Sequence, residues 1–134
     1  MPVKTFYKVF FLCFHFFGDR AAVIISALLI LPLFSFSATY YTRGSGSWNT
    51  PGTWSIVSCG GAIAGGFPGA GDDVIICSSH TVNLTAIHSC ASITINSGGT
   101  FNGGAIGALS ISGDWVNNLG GAFTSGTSLI TFNG

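Results

Sequence analysis

Charge is what this sequence has least of. Four Lys or Arg and four acidic residues are spread over 134 positions, for a formal net charge of zero. Glu is absent, and both lysines, Lys4 and Lys8, fall near the start. From residue 38 onward the charged side chains are Arg43, Asp72, Asp73 and Asp114. A chain so poor in cations has no basic patch to neutralise phosphates, so nucleic acid is not an expected partner. Nor can it hold an anionic membrane surface by electrostatics. Lys and Glu are good helix formers, and their absence after residue 38 disfavours a helical domain. The length leaves room for one domain at most.

The apolar content is unevenly placed. Residues 1–37 read as an export signal: Lys4 and Lys8 make a positive start, Arg20 precedes the apolar run Ala21 to Phe34, and Ser35 and Ser37 are small residues of the kind a signal peptidase accepts. The alternative is a retained membrane anchor, since Phe6 to Phe36 can supply a span of about 20 residues. Membrane contact is expected only through this segment, if it is not cleaved. Beyond it the chain is rich in Gly, Ser, Thr and Asn, with short groups of strand formers set between them, which points to an all-β fold. Cys13 lies in the leader, leaving an odd number beyond it: Cys59, Cys77 and Cys90. An exported chain favours a disulfide among these three, and sequence does not choose the pair. Zinc is not expected, because no C-x-x-C pair or clustered second ligand accompanies His88.

Residues 38–71 read as an N-terminal cap segment ending in a Gly-rich loop. Trp48 and Trp54 flank Pro51 and Gly52, a pair suited to the centre of a type II turn. The indoles have two possible uses. Exposed, Trp48 and Trp54 would stack on sugar rings with help from Tyr40 and Tyr41; buried, they would plug the open end of a stack of strands, and the plug is favoured. Gly60 to Gly71 is not a phosphate-binding loop, because no Lys-Ser/Thr ends it and a strand comes next. Gly69, Gly71, Asp73 and Ile75 match part of a calcium-binding nonapeptide repeat, but in one copy. Calcium at Asp72 and Asp73 is therefore not expected, nor is any other cofactor.

Residues 72–134 carry a recurring pattern. Ile93, Thr94, Ile95 and Asn96 read apolar, hydroxyl, apolar, polar; Leu109 to Ser112 and Ile130 to Asn133 repeat the order, with Val74 to Ser78 a looser copy. Spacings of roughly 16 to 21 residues suit one turn of a solenoid per repeat. Aligned this way, Ile93, Leu109 and Ile130 make one apolar column, Ile95, Ile111 and Phe132 the next, and Asn96, Ser112 and Asn133 a polar ladder. The expected fold is all-β: a short right-handed parallel β-helix with an N-terminal cap, following an N-terminal signal helix. A β-sandwich of hairpins is the alternative. The chain stops directly after a repeat strand with no polar cap, so it reads as the N-terminal part of a larger protein. Catalysis is not expected. Asp72 and Asp73 are adjacent and would face opposite sides of a strand, Asp114 is alone, and His80 and His88 read as corner residues without partner carboxylates.

Several of these stretches are familiar. Ala38 to Asn49 with Thr53, Trp54 and Ser55, then Pro68 to Val74, His80 to Val82, Cys90 to Ile95, Ile111 to Asn118, Phe123 to Thr127 and Ile130 to Gly134 resemble the N-terminal region of secreted, repeat-rich surface and adhesin-like proteins of gliding Gram-negative bacteria. The Trp-x5-Trp and Pro-Gly-x-Gly-Asp-Asp parts are similar to the eight-glycine extracellular domain. The resemblance spans nearly all of the chain after the leader. It implies a non-catalytic structural or adhesive protein, secreted or at the cell surface on the outer membrane, exported by type IX secretion. Its partners would be extracellular polysaccharide or surface proteins. It brings no catalytic residues with it.

Overall fold

The computed structural model describes residues 36–134. The leader expected over 1–37 lies, except for its last two residues, outside the described residues, as does Cys13. Every regular element from there on is a strand save one single-turn 3-10 helix, Pro51–Thr53. The strands, in chain order, are β1 (Thr39–Thr42), β2 (Gly46–Ser47), β3 (Trp54–Ser55), β4 (Asp73–Ile76), β5 (Thr81–Asn83), β6 (Ile87–Cys90), β7 (Ser92–Ile95), β8 (Thr100–Asn102), β9 (Ala108–Ile111), β10 (Trp115–Asn117), β11 (Ala122–Thr124) and β12 (Leu129–Phe132). The all-β expectation holds.

The strands build three sheets, and from β4 onward the chain visits them in rotation. The sheet orders are β10-β7-β4-β1-β3, β11-β8-β5-β2 and β12-β9-β6. All neighbours are parallel except β1 and β3, which close the first sheet with an antiparallel pair. Sequence-adjacent strands therefore do not form hairpins, and the sandwich alternative has no support. Short strands suffice because the inner strand of each sheet, such as β7, β8 or β9, is paired on both sides, while Gly, Ser and Asn take the corners. Gly98 at φ 77° shows what a corner demands, a left-handed backbone that a side chain would strain.

Alternation decides which face is buried. In β4, β7 and β9 the second and fourth residues are buried and the others are not. The interior is thus a set of ladders. Tyr40, Val74, Ile93 and Trp115 stack in the first sheet. Val82, Phe101 and Phe123 stack in the second, and Cys90, Ile111 and Phe132 in the third. Phe101 is fully buried and meets Phe123 face to face at 5.7 Å and Trp115 edge-on at 6.0 Å.

The columns read from sequence need correction. Leu109 does stack with Ile130 and Ile111 with Phe132. Ile93, however, sits between Val74 and Trp115, and Ile95 between Ile76 and Asn117. β7 and β9 belong to two different sheets. Each carries the same apolar-polar-apolar pattern because each lines the same interior, so their likeness reports shared burial rather than one repeat length. Stacking partners lie 19 positions apart for Asn83 and Asn102 and 22 for Asn96 and Asn118, so the shorter step from Ile93 to Leu109 is not a stacking interval, whereas that from Leu109 to Ile130 is. The amide ladder exists with other members. Asn102 donates to Asn83 at 3.1 Å, Asn118 to Asn96 at 3.0 Å and Asn133 to Ser110 at 2.8 Å. His88, expected at a corner, lies instead in strand β6, which is inverted in polarity: Ile87 is 82% exposed, while Cys90 is buried.

Candidate functional site

The two tryptophans come together through a tight turn after β2. Pro51 opens a 3-10 turn rather than the expected type II turn, and Gly52 does not take positive φ. The Thr53 N–H donates to the Thr50 carbonyl at 2.9 Å, and the Thr53 hydroxyl to the Ser47 carbonyl at 3.0 Å. The turn delivers Trp54 against Trp48, with ring centroids 5.4 Å apart at 69°. Tyr40 abuts Trp54 edge-on at 6.3 Å. Trp48 then meets Phe101 at 6.1 Å, joining the cluster to the ladders below it.

These indoles are not a sugar platform. Trp48 and Trp54 are both 0% exposed. Each N–H is also committed: Trp54 donates to the Trp48 carbonyl at 2.6 Å, and Trp48 to the Pro68 carbonyl at 3.3 Å. A sugar cannot reach either face, so the exposed-indole reading of Trp48 and Trp54 is corrected to the buried plug. Tyr40 and Tyr41 are half-buried on β1, and Tyr40 belongs to the same packing. Burying an indole is favourable only when its N–H finds an acceptor, and both do here.

A Gly-rich flap, Gly60 to Gly71, lies over the plug. Cys59 and Cys77 form a disulfide with Cα atoms 5.9 Å apart, anchoring the start of the flap to the end of β4. The Ala64 N–H donates to the Trp54 carbonyl at 2.9 Å, and the Pro68 carbonyl receives Trp48. At its far end, Asp72 closes the loop: its carboxylate accepts from the N–H of Gly69 and of Ala38, each at 2.9 Å. Asp72 thus clips the flap to the start of β1. Asp73 is the first residue of β4. Among the described residues no group of three or more His, Cys, Asp or Glu is placed to hold a metal.

Two histidines and one cysteine complete the region. Thr42, fully buried, accepts from the Cys77 N–H at 2.8 Å and lies 2.9 Å from His80 Nδ1. The assignment that leaves no buried hydroxyl hydrogen unpaired has Thr42 donating to Nδ1, which places the His80 proton on Nε2. His80 sits between β4 and β5 as a corner residue, as expected. His88 does not. It lies in β6, stacked on Trp48 at 5.8 Å and 23°, with Phe67 of the flap edge-on at 5.7 Å. Its Nε2 is buried without a hydrogen-bond partner, and loss of solvation lowers its pKa. Cys90, the expected third disulfide candidate, is a free buried thiol. Burial first, and the nearby Asp73 charge second, push it up to about 12.

Sequence reading missed the importance of Thr42 and His88. Thr42 looked like one more strand hydroxyl, and only its full burial makes it a hub. His88 was legible in principle. A strand with Ile outward and His and Cys inward has inverted polarity, the signal of something covering it. The groups gathered in this region are one buried thiol, one disulfide, the Thr42 hydroxyl and two imidazoles engaged in packing or hydrogen bonds. Comparison with protein-family models, with curated proteins and with solved structures found no match to this chain.

Proposed function

We propose that this chain is a secreted or cell-surface structural and adhesive protein, a short right-handed β-solenoid sealed at one end by residues 38–71. The observation that carries the reading is the strand order: from β4 onward each sheet receives one strand in turn, parallel and in register. Parallel strands joined by crossovers are right-handed in about 98% of cases, which supplies the hand. Such a stack gives a stiff body whose outer faces vary without disturbing the ladders, the property a display or adhesion scaffold requires. The Cys59–Cys77 disulfide suits an oxidising compartment. Among the described residues no helix is long and apolar enough to cross a membrane. The resemblance to repeat-rich surface proteins of gliding bacteria points the same way, including the type IX route.

Any extracellular polysaccharide or surface-protein partner would meet the outward-facing residues, not Trp48 or Trp54. The reading assigns no catalytic step to the described residues, consistent with an Asp72 carboxylate spent on two amides. Expression with its own leader in a Gram-negative host tests the location. The reading expects an exported chain beginning near Ala38 that resists thiol labelling at Cys59 and Cys77. Recovery of an uncleaved cytoplasmic chain with both thiols reactive would overturn it. Adhesion is tested with beads coated in the exported protein, scored for capture of cell-surface polysaccharide against uncoated beads. Equal capture would remove the adhesive part and leave a purely structural one.

A further inference from the structure

His88 has no role in the solenoid that a Leu would not fill better. It pairs with Leu109 in the third sheet, a ladder otherwise continued by Ile130. β6 is the outermost strand of that sheet, and Phe67 of the flap covers the imidazole at that edge. The ring is therefore in contact with both plug and flap, stacked on Trp48 and edge-on to Phe67. Trp48 in turn holds the flap through the Pro68 carbonyl. A buried polar atom without a partner calls for a physical account. With the proton on Nδ1, Nε2 carries only a bare lone pair, the less costly kind of orphan. A second proton must go onto Nε2, where the structure offers no acceptor.

We propose that His88 is an acid-sensitive latch: protonation of its buried Nε2 unseats Phe67 and the Pro68 carbonyl from Trp48, opening the Gly-rich flap while the three sheets stay folded.

The surroundings leave the proton without compensation. The titratable side chains on the elements packed around His88 are Cys90 on its own strand, Tyr40 beside the flap at Gly66, and Asp72 and Asp73 where the flap joins β4. Asp72 is engaged by two backbone amides, and the influence of Asp73 falls on Cys90. β9 and the Trp48 turn bring no ionisable group. Attraction between an imidazolium and the Trp48 face acts in the opposite direction, but it supplies no acceptor for the new N–H. The flap is rich in glycine and is held between its disulfide and Asp72 by the buried Pro68, by the Ala64 side chain packed on the core and by the Ala64 N–H bond to the Trp54 carbonyl. Opening releases the Pro68 end, next to Phe67, while the disulfide and Asp72 hold the two ends.

The depressed pKa of the closed state sets the sign. Flap closure is fully retained above the ordinary imidazole value of 6.5 and weakens as pH falls below it, until the closed-state value is passed. Within that window the open-to-closed ratio rises about tenfold per pH unit. The reporter is the Trp48 indole N–H, followed by solvent exchange in the 15N-labelled protein from about pH 8 to about pH 5, where imidazole is the side chain that ordinarily titrates. After correction for intrinsic exchange, its protection should fall roughly tenfold per unit below the transition, while backbone amides of β7 and β8 keep theirs. In His88→Phe, which keeps an aromatic ring, Trp48 protection should be independent of pH; His88→Gln serves if the Phe variant does not fold. Protection that stays constant in the wild type, rises with acid, or falls equally in the variants would overturn the latch.

Discussion

Trp54 offers the sharpest separation between a plug and a binding platform. Its side chain is fully buried, meets Trp48 and Tyr40 edge-on, and donates to the Trp48 carbonyl at 2.6 Å. Trp54→Ala removes the whole ring from a packed site, for which about 3–5 kcal/mol is typical. Against a total stability of about 5–15 kcal/mol, that loss can leave little folded protein. Trp54→Phe is therefore the quantitative experiment. It keeps most of the ring but leaves the Trp48 carbonyl without its donor, and a buried orphan of this kind costs about 1–3 kcal/mol. Urea unfolding followed by far-UV circular dichroism reads both. With a slope of about 1–3 kcal/mol per molar, the Phe variant should lose on the order of 1 M in its midpoint, and the Ala variant more. Added polysaccharide should shift neither wild type nor variant through this residue. If Trp54→Ala unfolds within about 0.5 kcal/mol of wild type, as ordinary surface substitutions do, the buried plug is wrong.

Thr42→Val keeps the shape of the side chain but orphans the Cys77 N–H and frees His80, so urea unfolding should show a loss of about 1–3 kcal/mol; an unchanged midpoint would remove Thr42 as a hub. Cys59 and Cys77 enclose a loop of 18 positions, and their replacement by Ser should cost about 3 kcal/mol, seen as a lower Tm that reducing agent no longer changes. Cys90 should resist iodoacetamide at neutral pH in the folded protein and react on unfolding, because burial disfavours the thiolate that attacks. Its raised pKa has a direction in stability too. The neutral thiol suits the fold, so this contribution is complete below about 9 and is lost as pH climbs toward about 12; Cys90→Ala should flatten the alkaline limb of the stability profile.

Strand chemistry and its alternation were legible in the sequence because burial on one face leaves a period-two trace, as in Ile93 with Ile95 and Leu109 with Ile111. The stacking partners were not. Every inward strand answers to the same interior, so Ile93 resembles Leu109 as closely as it resembles Val74, and similarity alone cannot tell a neighbour around the circuit from a neighbour along the stack. Corner lengths decide that, and they are written in residues such as Gly98 and Asn118, whose spacing varies from one circuit to the next. The plug was visible as paired Trp around a turn, yet its burial depended on the flap, a Gly-rich stretch with no apolar pattern to announce what it covers. Nor could the pairing of Cys59 with Cys77 be read, because it rests on the flap returning to β4. His88 was misread for a related reason. A polar residue facing inward looks like a corner until the ring that covers it is known.

The rotation of the chain from β4 onward through three sheets, with parallel pairing, is the claim on which the rest depends, and hydrogen-bond partners test it most directly. Scalar couplings across hydrogen bonds in a labelled sample report which N–H meets which carbonyl. The account predicts Thr100 to His80, Ala122 to Gly99, Gly113 to Ala91 and Asn133 to Ile111. Couplings that instead join β4 to β5 or β8 to β9 in hairpin register would contradict it.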